Sequence, residues 1–485
     1  MADITLNARA AIVDELLEHF EVAMAARTGS FLDLEVAALE TADELVRAWA
    51  QRALQRLADS IGAEVVVGGQ RYRRHASGLA KYHSLCGPLE VRRHTYRLIG
   101  IHNGPTVVPL ERAAGLQNNA TPALVQSTAL AFANMPLRDY EEQMSAAHRH
   151  VPSRSTLERI GKGLGSALLA DLPAIEHRVR AVEVVPSRAH SVSVGIDRTT
   201  APMAEPTGYP SQRAQPPYVR EPPPEVRVAY RMPYIATVAI NDAQGDVLVS
   251  KRIAATPEEG AASLMERLAA EVQHIRNQRP ELPIVVIQDG APELWSLIDA
   301  WESDFGIPIA MKLIDRYHLN GRLAEAADAI EPDKYRRWRL LARWRDSLAR
   351  SDLAIGRIAS SFNKLVNHIY AKEDEKRWPY VEPTSFASLT GERQRIVEKH
   401  LTYLANNRHR MTYATARRNA YPEGSGVTEG ACKSIVAARC KRSGQRWNPY
   451  GLSRCLLLRT LHLNGRLRAS IETHLEDQRI AITTA

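Results

Sequence analysis

The sequence predicts an α/β fold: a mixed sheet with helices on both faces. Three observations carry it. A β-rich run, HSVSVGID, closes on an acid; two more strands, YIATVAI and DVLVSKRI, are linked by Asn241–Gly245 at hairpin length; and two nearly continuous apolar runs, LPIVVIQDG and IPIAMKLID, are separated by a short helical pattern. With the amphipathic helix PEEGAASLMERLAAEVQHIRNQ between them, the order is strand, hairpin, helix, buried strand, helix, strand. That order suits a mixed sheet covered by helices.

The flanking elements follow in chain order. Residues 1–60 read as a helical hairpin, with apolar positions at helical spacing in AAIVDELLEHFEVAM and LDLEVAALETADELVRAWAQRALQRL and a break at Gly29-Ser30. Residues 61–180 read as a basic hairpin followed by a helix-turn-helix-like region. Alternation around Leu89–Val91 and His94–Tyr96 predicts short strands joined by Gly-Pro turns. Between Arg71 and Arg97 seven Lys or Arg face one acid, Glu90, with Tyr72, Tyr82 and Tyr96 interleaved. Cations grip phosphates and rings stack on bases, which makes Arg73, Arg74, Arg92 and Arg93 candidate DNA contacts; a solvated hairpin face is the competing reading. Residues 121–147 are a helical pattern, and Ser155 with Glu158 has capping-box spacing for the next helix. Arg154 and Arg159 at the front of that second helix suit a helix-turn-helix.

The core spans 190–318, interrupted by a Pro-rich stretch, 201–225, expected as a loop. Residues 319–405 are helical, with Trp338, Trp344 and many arginines, and 406–470 return to the core, helical from 425 and broken near Gly444 and Asn448-Pro449.

Composition bounds the function. The chain has 485 residues, 45% hydrophobic and 24% charged, as in globular proteins rather than disordered ones. No run approaches the roughly 18 apolar residues of a membrane span, and acids occupy the place of a signal peptide's apolar segment, so a cytoplasmic location without membrane attachment is expected. Cys86, Cys432, Cys440 and Cys455 form no C-x-x-C pair and read as reduced, packed thiols. Net charge is +8, yet residues 401–468 hold thirteen Lys or Arg against two acids, Glu423 and Glu429, a local excess of +11.

Asp197 and Asp289 stand at the C-terminal ends of apolar strands, where sites of open α/β sheets gather. Either has a plainer use, since Asp289-Gly290 is a turn dipeptide and Asp197 can cap a loop. Glu429 falls in the first turns of a helix from Thr428 to Cys440, and Glu423 on the loop before it. Hard divalent cations take such oxygen ligands, and two ions about 3.5–4 Å apart support in-line phosphoryl transfer.

Together SVSVGID, VVIQDG, IDRYH with Asp315 and His318, and GSGVTEGACKSIV followed by KRSGQRW resemble bacterial insertion-sequence transposases of the Mutator-like DDE superfamily, the Kra-type group above all. The resemblance covers roughly residues 60–470 and is strongest after 280. It implies a ribonuclease H-like core with an all-helical insertion between the second Asp and the Glu. It implies Asp197, Asp289 and Glu429 as the catalytic, metal-binding triad for Mg²⁺, with Mn²⁺ able to substitute, and Asp315 to His318 as the Cys/Asp-x-x-His element. The spacings of 92 and 140 residues between the three acids leave room for the insertion. Glu423 is the alternative third acid; Glu429 is preferred because a helix holds a ligand more rigidly than a Gly-flanked loop. The implied partners are double-stranded DNA, at element ends and target, and further copies of the chain in a homodimer or larger oligomer. Arg439, Lys441, Arg442 and Arg446 are the expected phosphate contacts beside the site. A nuclease that hydrolyses without joining, and a transposase-derived DNA-binding protein without catalysis, are the competing functions.

Overall fold

The structure is a computed structural model that describes residues 29–210, 224–366, 391–480 and 482–484, with Leu17, Glu18, Glu21 and Val22. The chain forms two compact units, Met1–Ile175 with Leu467–Ala485, and Glu176–Arg466.

In the first unit a long helix, Phe31–Ser60, starts at a capping box: Asp33 N–H donates to Ser30 Oγ (3.3 Å) while Ser30 N–H donates to Asp33 Oδ2 (2.8 Å). The expected partner helix lies largely outside the described residues. Strands β1 (Glu64–Val67), β2 (Gln70–Ser84), β3 (Gly87–Leu98) and β4 (Thr106–Val107) pair antiparallel in order, and the C-terminal segment Ile482–Thr484 adds to β1. Instead of several short strands, β2 and β3 form one long ribbon whose register shifts once, at His75. Tyr72, Tyr82 and Tyr96 are buried, which corrects the expectation that they stack on bases: alternation along the strands turns them inward and leaves Arg71, Arg73, Lys81 and Arg92 outside, while Arg93 lies half-buried against Tyr82.

Three helices follow, Pro122–Asn134, Leu137–Ala146 and Arg154–Ala170. The helical pattern 121–147 is thus split at Met135-Pro136, because proline removes an N–H and clashes with the preceding turn. The last helix begins after Ser153 rather than Ser155, without a side-chain capping bond from Ser153, and Glu158 pairs with Lys162 instead of closing a capping box.

The second unit holds the α/β core. Strands β5 (Ser191–Arg198), β6 (Ala201–Pro210), β7 (Pro224–Arg231), β8 (Tyr234–Asn241), β9 (Val247–Ala255), β10 (Ile284–Gln288) and β11 (Ile309–Ile314) are joined as the sequence suggested, apart from β6 and β7. The main sheet has the order β11-β10-β5-β8-β9, with β5, β10 and β11 parallel and β8 antiparallel to both neighbours. Val192, Val194, Ile196, Ile284 and Val286 face a large core shared with helices Gly260–Gln278 and Pro292–Phe305. Val285, Ile287 and Leu313 face the opposite side with Ala416.

The Pro-rich stretch is not wholly a loop. Its flanks, β6 and β7, pair as a two-stranded antiparallel ribbon, with residues 211–223 outside the described set. Proline is tolerated in such a ribbon because only one side of each strand must donate to a partner. The free edge of β6 is stitched to the end of the basic loop: Ala204 N–H donates to Trp447 O (2.7 Å) and Trp447 N–H to Pro202 O (2.9 Å).

The expected helical block is present as Arg316–Ile330, Lys334–Arg350, Ala354–Val366 and Glu392–Asn407, with 367–390 outside the described residues. Its core centres on Trp344, which meets Phe362 edge-on with ring centres 5.5 Å apart.

Candidate active site

Strand register places three aspartates abreast. β5 and β10 pair with Ser193 opposite Val285 and Val194 opposite Val286, an offset of 92 that carries Asp197 opposite Asp289. β10 and β11 pair with Gln288 opposite Ile314, and the next step carries Asp289 opposite Asp315. Adjacent strands lie about 4.8 Å apart, so the three acids form a row across the C-terminal ends of three parallel strands. Alternation puts them on one face, that of Val285, Ile287 and Leu313, opposite the large core.

Each acid is fixed differently. Asp197 Oδ1 accepts from Arg198 N–H (2.6 Å), and Oδ2 accepts from the Cys432 thiol (3.4 Å). The Arg198 guanidinium turns to Glu293 and the Tyr234 ring, and among the described residues no cation is bonded to the Asp197 carboxylate. Burial pushes the Asp197 carboxyl above its ordinary range, and the negative charge of Asp289 adds to the rise against the opposing hydrogen bonds and His318. Asp289 closes a turn, its Oδ1 accepting from Ala291 N–H (2.9 Å) and its carbonyl from Trp295 Nε1–H (2.7 Å). The glycine after it is required: a Cβ on Gly290 would lie 2.3 Å from the Tyr403 ring.

Asp315 is the most tightly held. It caps the Arg316–Ile330 helix by accepting from Tyr317 N–H (2.6 Å), and Oδ2 accepts from Ser425 N–H (3.0 Å) and Ser425 Oγ–H. Burial works to raise it, but the hydrogen bonds from His318, Ser425 and Tyr317 outweigh burial and lower it to about 2. His318 Nδ1 lies 3.5 Å from Asp315 Oδ2. That contact raises the imidazole's pKa against the effect of burial, with help from the charges of Asp289 and Asp197. His318 thus sits beside the row with its pKa raised, and it is half exposed.

Glu429, the expected third carboxylate of the triad, lies on the helix Gly426–Cys432, which runs through one π turn, Lys433–Ala437, to Cys440. This helix docks on β5 and β8 at a point where a side chain has been removed: a Cβ on Gly195 would meet Thr428 Oγ1 at 2.3 Å and Ile287 O at 2.8 Å. Thr428 Oγ1 hydrogen-bonds Thr237 Oγ1 on the neighbouring strand (2.6 Å). Glu429 follows Thr428, and Cys432, which touches Asp197, is three residues further on the same helix, less than one turn away. Glu429 is paired with Lys433 (2.8 Å), and among the described residues no three Asp, Glu, His or Cys side chains converge as a metal-holding group.

Glu423 is occupied elsewhere. Its carboxylate pairs with Arg417 and its carbonyl accepts from Arg316 N–H (2.9 Å), so it fastens the loop to the helical block.

The expected DNA-contacting residues divide into exposed and committed ones. In the second unit Lys441, Arg442 and Arg446 are exposed, and Lys441 Nζ donates to Thr199 Oγ1 (3.1 Å), two residues beyond Asp197. Arg439 differs from the expectation: it is buried, with its guanidinium 4.9 Å from the Trp447 ring centre, and shapes the loop from within. In the first unit Arg92, Arg154 and Arg159 are exposed, and Arg159 and Lys81 both act on His83, a basic meeting point of β2 and the Arg154–Ala170 helix. Arg73 pairs with Glu64 (2.7 Å), Arg74 donates to Ile61 O (2.6 Å), and Arg93 pairs with Glu111 and Tyr82.

Gly195, Thr428 and Thr237 were not singled out from the sequence, and Cys432 was read only as a packed thiol. A glycine inside an otherwise apolar strand signals close approach of another segment, so Gly195 carried a usable signal; the others depend on how the helix docks. Comparison with protein-family models returned no match, and comparison with curated proteins returned none either.

Proposed function

We propose that the protein is a DNA transposase of the DDE type: it binds the ends of its own mobile element, cleaves there, and joins the freed 3′-hydroxyls to target DNA. The observation that carries the reading is the register that sets Asp197 beside Asp289, together with the docking of the Glu429 helix onto Gly195 between them and β8. The core sheet has the strand sequence a ribonuclease H-like core would take, a hairpin run of three strands followed by two joined through helices.

The donor set suits a hard divalent cation. Two partly buried carboxylates stand side by side, and among the described residues no Lys or Arg is bonded to Asp197, whose pKa is raised by burial first and by the charge of Asp289 as well. Asp197, Asp289 and Glu429 would hold Mg²⁺, or Mn²⁺ in its place, with Glu429 released from Lys433. Bound there, the ions would supply an activated water or 3′-hydroxyl and stabilise the leaving oxygen. The chain's own residues supply the rest. Backbone N–H groups of Arg198 and Ala291 aim the two aspartates, and Asp315, by raising the pKa of His318, favours its protonated form beside the place a scissile phosphate would take. Lys441, Arg442 and Arg446 offer cations to the flanking phosphates. Pairing two element ends calls for a homodimer or larger oligomer. No helix among the described residues is long and apolar enough to cross a membrane, in keeping with a DNA-bound role in the bacterial cytoplasm.

The test is a strand-transfer assay with the DNA ends flanking the coding region, a target plasmid, and Mg²⁺ or Mn²⁺. Asp289→Asn is expected to abolish joining, and wild-type joining by that variant would remove the mechanism. Hydrolysis without joined product would assign a nuclease instead, and binding without either would assign a non-catalytic DNA-binding protein.

A further inference from the structure

The helix Lys334–Arg350 carries seven Lys or Arg and one acid, Asp346. Leu340, Trp344 and Leu348 fix its inward face in the core of the helical block. The outward face near its start is of an unusual kind for solvent: Tyr335 is 67% and Trp338 64% exposed, two large aromatic side chains side by side. The two rings lie one turn apart and nearly parallel, with centres 6.4 Å apart and planes at 24°. Arg339 caps the pair, its guanidinium 5.9 Å from the Tyr335 ring centre. Lys334 and Arg345, both exposed, extend the cationic surface along the same side.

We propose that this face binds unpaired nucleobases of a single DNA strand, Tyr335 and Trp338 offering the stacking platform and Lys334, Arg339 and Arg345 the phosphate contacts. The charge of the helix matches a polyanion, and the paired, open rings match the faces of bases rather than the closed surface of a duplex. Trp344 shows the contrast on the same helix: six residues further on, an identical side chain is fully buried and serves packing alone. The inference deepens the DNA reading above but does not depend on the carboxylates.

The experiment measures anisotropy of a labelled oligothymidine of about 20 nucleotides, and of a blunt duplex of the same length, on the full chain. Tyr335→Ala and Trp338→Ala are each expected to weaken single-strand binding about tenfold while duplex affinity stays within about twofold, and Trp338→Phe is expected to retain most of the binding. Both alanine changes are on exposed positions, and circular dichroism confirms that the variants fold. Asp289→Asn is expected to bind the single strand like the wild type, so loss of joining in that variant overturns nothing here. Unchanged oligothymidine binding by both alanine variants would overturn the proposal. So would equal losses on single strand and duplex, or a loss confined to binding of poly-glutamate, which would assign the face to an acidic protein partner.

Discussion

Two clusters of ionised residues in the second unit are built on opposite plans. Around Arg466, Glu271 receives Arg466 (2.6 Å) and Arg180 (2.8 Å), while Glu183 receives Arg466 (2.6 Å) and Lys251 (2.6 Å). Burial pushes Glu271 and Glu183 up, but these partners outweigh it, and both are lowered from the ordinary carboxylate range. In the row at the strand ends, Asp197 has no bonded cation among the described residues and moves the other way, raised by burial first and by Asp289 as well. A buried charge that is fully matched holds a fold together; one left unmatched beside a like charge lowers stability and is retained where an absent cation or substrate completes it.

The largest effect that separates the two clusters is expected from Glu271→Gln. Glu271 is 4% exposed, and removing one partner from a buried network leaves cations uncompensated, at a cost of about 3–5 kcal/mol in urea unfolding. Because its carboxyl is lowered in the folded state, its contribution is present above the ordinary carboxylate range and is lost as pH falls. A change below about 0.5 kcal/mol would show that the network is not structural.

Next is Gly195→Ala. With Thr428 Oγ1 at 2.3 Å and Ile287 O at 2.8 Å from the new Cβ, the Gly426–Cys432 helix must shift. The expected cost is about 1–3 kcal/mol of overpacking, with strand transfer lost more steeply than DNA binding. Wild-type joining by a folded Gly195→Ala protein would sever the helix from the site.

Asp197→Asn has a smaller effect of opposite sign. Relieving a buried carboxylate beside Asp289 is expected to stabilise the metal-free protein by about 0.5–2 kcal/mol while joining disappears. An acid raised in the folded state costs stability as pH rises through its folded pKa, so the gain should grow with pH across that range and then level off. Destabilisation would place Asp197 with the matched cluster.

The smallest is a shift in one titration. His318 should titrate above the ordinary histidine value in an NMR experiment, and Asp315→Asn should bring it down. The favourable His318–Asp315 interaction is full below the ordinary histidine pKa and lost as pH rises through the raised one. An unshifted His318 in the variant would detach it from Asp315.

Much of the core was legible because its strands are short apolar runs ending in acids, and the spacing of 92 residues between Asp197 and Asp289 is the register offset between their strands. Asp315 was legible only as an accessory, since its alignment with Asp289 depends on the register of β11 after a shift at Ile284. The ribbon β6–β7 was hidden by its prolines, which mark loops unless a two-stranded edge accepts them. Tyr72, Tyr82 and Tyr96 were misread because neighbouring residues on one strand face opposite ways, so these rings turn inward while Arg73, Lys81 and Arg92 stay outside. The fate of Arg439 was illegible, because its burial against Trp447 depends on where the loop meets β6. The ion pairs of the two candidate glutamates were illegible too: Glu423 meets Arg417, six residues before it, only through the fold of the intervening turn, and Glu429 meets Lys433.

The central claim is that Asp197, Asp289 and Glu429 form one cation site. Titration of Mn²⁺ into the full chain with element-end DNA, followed by electron paramagnetic resonance of the free ion, tests it most directly. Asp197→Asn, Asp289→Asn and Glu429→Gln should each weaken binding by about tenfold or more, with Glu423→Gln binding like the wild type. Wild-type Mn²⁺ binding by Glu429→Gln, with loss in Glu423→Gln, would contradict it.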